Sequence, residues 1–373
     1  MNNRERFINK VLGERVDRNC FYLFWPPWKT AMSRWLIENK GSFKRTDYTD
    51  EVIFLNEEIY PLFKPDIPPR TLSLNCGPFP VKKELVLHED KDYITFIDNW
   101  GVKKRDYKKR ESMSEFLSFP VKDKGSWEKF RDERLDPDDP DRMIGNWEDE
   151  GFEWMKEGFP IQIGGYPDVG VFGAYRWLMG DEEGLIAFKT QPELVDEIMD
   201  HLTTLYLSVF KKVVKKIRVD VIHLFEDIAC RQGPLFSPEH FERFMAPNYK
   251  RIKRFADDNG IPVFSMDTDG DFIDLMPSII NAGVDLISPV EVAAGMDINK
   301  LLDVYPDIGF MGGIDKRVLS RGKKDIDEEL FRISRALRNA NYIPFLDHLI
   351  PDDVPWRNYC YYARQLKKMI NIT

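Results

Sequence analysis

The chain is poor in soft metal ligands: its 373 residues include only 5 His and 4 Cys. The cysteines, Cys20, Cys76, Cys230 and Cys360, lie far apart with no C-x-x-C pair. That spacing speaks against a disulfide framework and for reduced thiols in a cytoplasmic protein. No stretch approaches about 18 consecutive apolar residues, which excludes a membrane span. Residues 1–18 are charged and lack the apolar run of a signal peptide. Positive charge is in deficit, with 54 Lys+Arg against 63 Asp+Glu and a net charge of −9. A surface with that balance is not built to neutralise many phosphates, so nucleic acid is not an expected partner. No G-x-G-x-x-G follows a strand-like run, and no solenoid repeat or low-complexity block is present.

What is present is ordinary globular composition, 43% hydrophobic and 31% charged, with 26 Phe, 14 Tyr and 9 Trp. Such a chain can bury a large core. Residues 4–13 read as a short opening helix and the apolar residues 20–25 as a first strand, ended by Pro26 and Pro27. Helix is expected over 29–39. Residues 40–150 are irregular, with alternating runs such as 93–97 and the turn-rich stretch 136–140, and read as an insertion or elaboration, partly β. From residue 159 the pattern is regular. Strand-like runs at 160–164, 220–225, 261–266, 284–287, 308–311 and 342–345 alternate with helical stretches at 192–217, 238–258, 272–282 and 327–339. Short strands separated by amphipathic helices are the signature of a parallel α/β sheet. With residues 20–25 the strands approach the eight of a (β/α)8 TIM barrel, with a doubly wound sheet as the alternative. The whole of 1–373 is then one domain.

In such folds chemistry gathers where strands end. Four strand ends carry carboxylates: Glu226 and Asp227; Asp267, Asp269 and Asp271; Asp315; and Asp347 beside His348. An Asp at a strand end commonly caps the following helix. Four ends meeting at one mouth would instead crowd like charges, raising one another's pKa or recruiting a cation. His348 is the better-placed general acid or base, while His223, inside an apolar strand, reads first as a core histidine. His88, His201 and His240 read as surface residues. Trp25 and Trp28 flank the Pro-Pro turn and could wall a pocket for an apolar ligand.

These residues resemble the motifs of the uroporphyrinogen decarboxylase superfamily, which includes decarboxylases and corrinoid-linked methyltransferases. Residues 4–18 are similar to its opening helix and turn. Phe225-Glu226-Asp227, Leu235-Phe-Ser-Pro238 with Phe241, and Pro247-x-x-Lys250 resemble its central signature. Met311-Gly-Gly-Ile-Asp315 and Asp347-His-Leu-Ile-Pro351 resemble its late strand ends. The resemblance covers nearly the whole chain and implies a (β/α)8 barrel. Two departures stand out. The paired arginines that hold a porphyrinogen's carboxylates are replaced by Phe24-Trp25-Pro-Pro-Trp28, with no arginine before Arg34, so haem-pathway decarboxylation is not expected. The zinc ligands of the methyltransferase branch fall on Asp267, Asp269 and Asp347, a set suited to Mg, Mn or Ca rather than zinc-thiolate chemistry.

The resemblance therefore implies a methyltransferase, a demethylating component acting on a small methylated or methoxylated substrate. A corrinoid would sit on a separate partner protein, because the chain has no cobalamin-binding segment of its own. Asp267, Asp269, Asp347, His348 and Glu226 are the expected catalytic group, with Asp267, Asp269 and Asp347 able to hold a divalent metal. Trp25, Trp28, His223 and Asp315 are expected at the substrate. A carboxy-lyase acting on a small organic acid and a non-catalytic binding protein are the alternatives. The resemblance also implies a homodimer.

Overall fold

The computed structural model describes residues 1–109 and 113–372. Thirteen strands are formed among them. Seven make one parallel sheet: β1 (Arg70–Thr71), β6 (Ile161–Gly164), β7 (Val221–Phe225), β10 (Val263–Asp267), β11 (Leu286–Val290), β12 (Gly309–Ile314) and β13 (Tyr342–Leu346). Their order is β1-β6-β7-β10-β11-β12-β13, so each strand beyond β1 lies beside its predecessor in the sheet. β2 (Leu85–Glu89), β3 (Tyr93–Ile97), β4 (Lys103–Tyr107) and β5 (Glu115–Ser118) form a separate antiparallel meander. β8 (Ala229–Cys230) and β9 (Gly233–Pro234) form a two-residue ribbon.

The period-2 alternation of each parallel strand sorts its side chains between two cores. Ile222, Leu224, Phe264, Met266, Ile287 and Phe310 join the large outer core beneath the helices. Val221, Val263, Leu286, Met311, Ile343 and Phe345 join a second, inner cluster. A flat sheet would not bring inward side chains from β7 through β13 into one cluster; the sheet curls into a half-barrel. Helix α1 (Asn3–Val11) plugs its amino-terminal end with Phe7, Ile8 and Val11. Asn2 and Glu5 form a capping box at the start of α1. Arg4 fastens the helix to the buried Asp220, Nε to Oδ1 at 2.7 Å, and Asp220 in turn accepts the Ile161 amide at 2.9 Å.

The hydrogen bonds correct one expectation. Residues 20–25 form no ladder, so the paired strands number seven and make a half-barrel among the described residues. Phe21 pairs with Asp66 instead: its amide donates to Asp66 Oδ2 at 2.8 Å and its carbonyl accepts from the Asp66 amide at 2.8 Å. Pro26 and Pro27 lack amide hydrogens, and only an isolated bridge, Pro27 to Ile350, joins this segment to the chain after β13. The segment's side chains still pack inward, with Cys20 and Tyr22 in the inner cluster.

Helices α1 and α2 (Lys29–Glu38) lie within a residue or two of their expected positions. The expected helix 192–217 runs as Pro192–Val213. The stretch 238–258 is helical throughout, with a π-helical turn at Phe241–Met245. The stretch 272–282 divides into a 3-10 turn and the short helix Met276–Asn281, with Pro277 in its first turn. Residues 40–150 hold the meander and the helices Lys124–Arg134 and Trp147–Glu157. They also supply β1, whose two residues pair with Ile161 and Gln162. No helix among the described residues is long and apolar enough to cross a membrane.

Candidate active site

A cavity, partly open to solvent, lies inside the half-barrel. Every parallel strand contributes an inward residue to its wall. Gln162, His223, Ser265, Ser288, Met311 and Phe345 come from β6, β7, β10, β11, β12 and β13, and Thr71 comes from β1. Phe7 of α1 forms part of the wall, and Phe24 and Trp25 form the side that lacks a ladder. No Lys or Arg lines this cavity among the described residues.

Its one carboxylate is Asp267, the last residue of β10. Val263, Ser265 and Asp267 share the inner face of that strand by alternation, which carries the acid into the cavity. No protein group donates a hydrogen bond to its carboxylate among the described residues. Burial holds its pKa well above the usual carboxylate range, and the neighbouring charges of Asp269 and Asp227 push it further up. A carboxyl group in that state keeps its proton to higher pH than an ordinary one and can donate it. One residue pair away, His223 Nδ1 lies 2.8 Å from Ser265 Oγ. His223 is thus both a partnered core histidine and a cavity residue.

Burial pulls the His223 pKa down to about 4. Below about pH 6.5 the unfolded chain protonates this imidazole, while the folded chain does not until about pH 4. The residue's contribution to stability is therefore present above pH 6.5 and is lost as pH falls from 6.5 towards 4. We predict that its ring-proton NMR shifts stay flat from pH 8 to 5. A titration midpoint near 6.5 would show the ring to be solvated.

The second group of expected residues sits at the carboxyl ends of the strands. His348 Nε2 lies 3.5 Å from Asp269 Oδ2. The His348 ring stacks on Trp25 with centroids 5.0 Å apart. Burial and then the charge of Lys316 lower the His348 pKa to about 4. Burial, followed by Asp227 and Glu291, raises Asp269 to about 7 against the opposing Lys316. Near neutral pH this pair is an uncharged imidazole beside a carboxyl group close to its midpoint, so Asp269 can take up or release a proton at this mouth. The indole Nε1 of Trp25 is buried with no hydrogen-bond partner among the described residues.

Other expected residues serve the scaffold. Glu226 is fully buried, and its carboxylate accepts the amides of Val171, Phe172 and Gly173 at 2.7, 2.7 and 3.0 Å. It caps the helix Phe172–Met179 from outside the cavity lining. Asp315 is held by Arg317, which donates from Nε at 2.8 Å and from Nη2 at 2.9 Å. Trp28 ends the Pro-Pro turn and donates its amide to Ile350, but it does not line the cavity. Asp347 is fully buried with both oxygens engaged: Oδ2 accepts the Val292 amide and Oδ1 the Lys316 amide, each at 3.0 Å.

That engagement bears on the metal expected at Asp267, Asp269 and Asp347. A hard cation needs carboxylate oxygens converging on one point. Asp347 spends its oxygens on two loops, Asp269 faces His348, and Asp267 faces the cavity. Among the described residues no three His, Cys, Asp or Glu side chains assemble into a metal cage. The expected three-carboxylate site is not formed.

Sequence reasoning missed Ser265, Ser288, Gln162 and Phe345. Each stands on the inward register of a strand whose apolar run was recognised, so the alternation held the signal. Thr71 had no such signal, because β1 is only two residues long.

A methyltransferase from Methanosarcina mazei superposes with a TM-score of 0.60 over 99% of each chain, at 15% identity, a likeness of fold. No curated protein matches the sequence. The model of the family described as uroporphyrinogen decarboxylase (URO-D) matches residues 178–368, the span from β7 through β13 that carries Asp267 and the other strand-end carboxylates. The chain belongs to the uroporphyrinogen decarboxylase (URO-D) family.

Proposed function

We propose that this protein is a methyltransferase that takes the methyl group from a small methylated donor and passes it to a corrinoid carried by a separate protein. One observation carries this reading: the cavity's single acid, Asp267, is unpaired, and no cationic side chain lines the wall beside it. Decarboxylation requires a site that accepts a substrate carboxylate. Here such a group would be desolvated against Asp267 with no Lys or Arg to pair it, which is strongly unfavourable. Demethylation instead needs a proton at the heteroatom that the methyl group leaves, and Asp267 is placed to hold one there. The likeness in fold to a methyltransferase supports the same reading.

In this mechanism the corrinoid supplies the nucleophile that accepts the methyl group. The chain supplies the rest. Asp267 holds the proton at the leaving heteroatom, and Ser265 and His223 fix the polar side of the cavity beside it. Phe24, Trp25 and Phe345 keep water from the reacting centre. Tyr166, 71% exposed, and Phe24, 38% exposed, leave apolar surface at the carboxyl ends of the strands, where a flat macrocycle brought by a partner would meet the cavity. The residues on that rim fit such a group.

The test mixes the purified protein with a reduced corrinoid protein and a panel of methylated amines, ethers and thioethers. The expected result is the absorption change of methyl-cobalt formation with at least one donor. Release of CO2 from a small organic acid without any corrinoid, and no methyl-cobalt signal, would overturn the reading in favour of a carboxy-lyase.

A further inference from the structure

We propose that the cavity selects a methylated ammonium ion, held between the faces of aromatic rings and the Asp267 carboxylate. The inference rests on the methyl-transfer reading for its use, but not for its test. Three rings lie along one wall. Phe24 meets Trp25 edge-on with centroids 5.0 Å apart, and Phe24 lies 5.8 Å from Phe345 at a tilt of 46°. Phe7 adds a fourth ring from α1. Aromatic walls and one unpaired carboxylate are the two components that recognise alkylated ammonium groups: the ring quadrupole attracts the diffuse positive charge, and the methyl groups fill apolar volume.

The surrounding charges have the matching sign. Asp269 and Asp227 act on Asp267 at the mouth, and Asp227, Glu291 and Asp347 act on Asp269. Lys316 is the cation opposing them there. Arg176 is engaged by Asp181 and Asp227, and Arg317 by Asp315. The mouth therefore attracts cations and repels a carboxylate-bearing donor. A neutral ether would fit the apolar wall but would gain nothing from these charges.

Chemistry at the leaving atom agrees. A methylated ammonium loses its methyl group with both electrons of the C–N bond staying on nitrogen, so the leaving group is a neutral amine. The methyl carbon forms its new bond to the corrinoid nucleophile. Where the donor enters as a free amine, the Asp267 proton moves to nitrogen before transfer, and the carboxylate so formed is the counter-charge of the bound cation. Proton and charge balance without another reactant.

Calorimetric titration of the full chain, with no corrinoid present, tests the inference. Choline, its uncharged isostere 3,3-dimethylbutan-1-ol, trimethylammonium and methylammonium are the probes. At least one of the ammonium ions is expected to bind, and choline is expected to bind at least tenfold more tightly than the isostere. Asp267→Asn should abolish that preference while leaving the isostere unchanged, and Trp25→Leu should weaken both, with circular dichroism confirming the fold of each variant. Equal or tighter binding of the isostere, or no binding of any ammonium probe, would overturn the inference. Ammonium binding without methyl transfer to any corrinoid protein would leave the inference standing and remove the proposed reaction instead.

Discussion

Asp267→Asn is expected to slow methyl-cobalt formation by roughly 10²- to 10⁴-fold, the usual contribution of a positioned acid. The amide preserves shape and polarity but has no proton to give. The expected loss is therefore in the rate of the chemical step, measured under single turnover with saturating donor. Stability should move the other way. Asp267 has a folded pKa raised by burial, so its contribution to stability is full below its ordinary pKa and is lost as pH rises towards the folded value. Asparagine carries no such penalty. The melting temperature of the variant should equal or exceed that of the parent at pH 7, with an advantage that grows as pH rises above about 4. A rate within threefold of the parent would remove Asp267 from the chemistry, whatever the melting temperature did.

The largest effect on folding is expected at Glu226. Removing its carboxylate in Glu226→Ala leaves three buried amides, those of Val171, Phe172 and Gly173, without an acceptor. Each orphaned buried donor costs about 1–3 kcal/mol, and the cavity left by the side chain adds to that. A total loss of roughly 3 kcal/mol or more is expected, seen as a lower urea midpoint. Burial raises the pKa of Glu226 to about 7 although the three amides oppose the shift. Glu226→Gln should therefore be much milder, since its amide oxygen can still accept from the helix start. If Glu226→Ala kept the parent's midpoint but lost activity, the residue would belong to the reaction rather than to the helix cap.

The contrast between these two carboxylates shows how far the site was legible. Both stand at or just past the end of a parallel strand, and the sequence treats them alike. Register separates them. Asp267 is the fifth residue of β10, in phase with the inward Val263 and Ser265. Glu226 follows β7 out of phase with Val221 and His223, which face inward, and so turns to the outer layer, where the helix Phe172–Met179 begins. Counting in twos from the inward histidine would have divided them. Nothing local could have shown that Asp347 gives both its oxygens to amides of Val292 and Lys316, 55 and 31 residues away in the chain. The same long-range placement dissolved the expected metal site.

By itself the sequence determined the alternation of strand and helix after residue 159, the parallel sheet that follows from it, the acidic strand ends and the family motifs. These are local properties, written in hydrophobic period and turn chemistry, and they need no knowledge of distant partners. Tertiary structure alone decided three things. Asp66 takes the hydrogen bonds of Phe21 that an eighth strand would have offered its neighbour, leaving an aromatic wall in place of a ladder. Two-residue β1 became a strand only because β6 was there to pair with it. Of the strand-end carboxylates, only Asp267 faces the cavity unpaired. The reason is common to all three: a backbone amide or a carboxylate binds whichever partner the packed fold brings within about 3 Å, and that partner comes from anywhere in the chain.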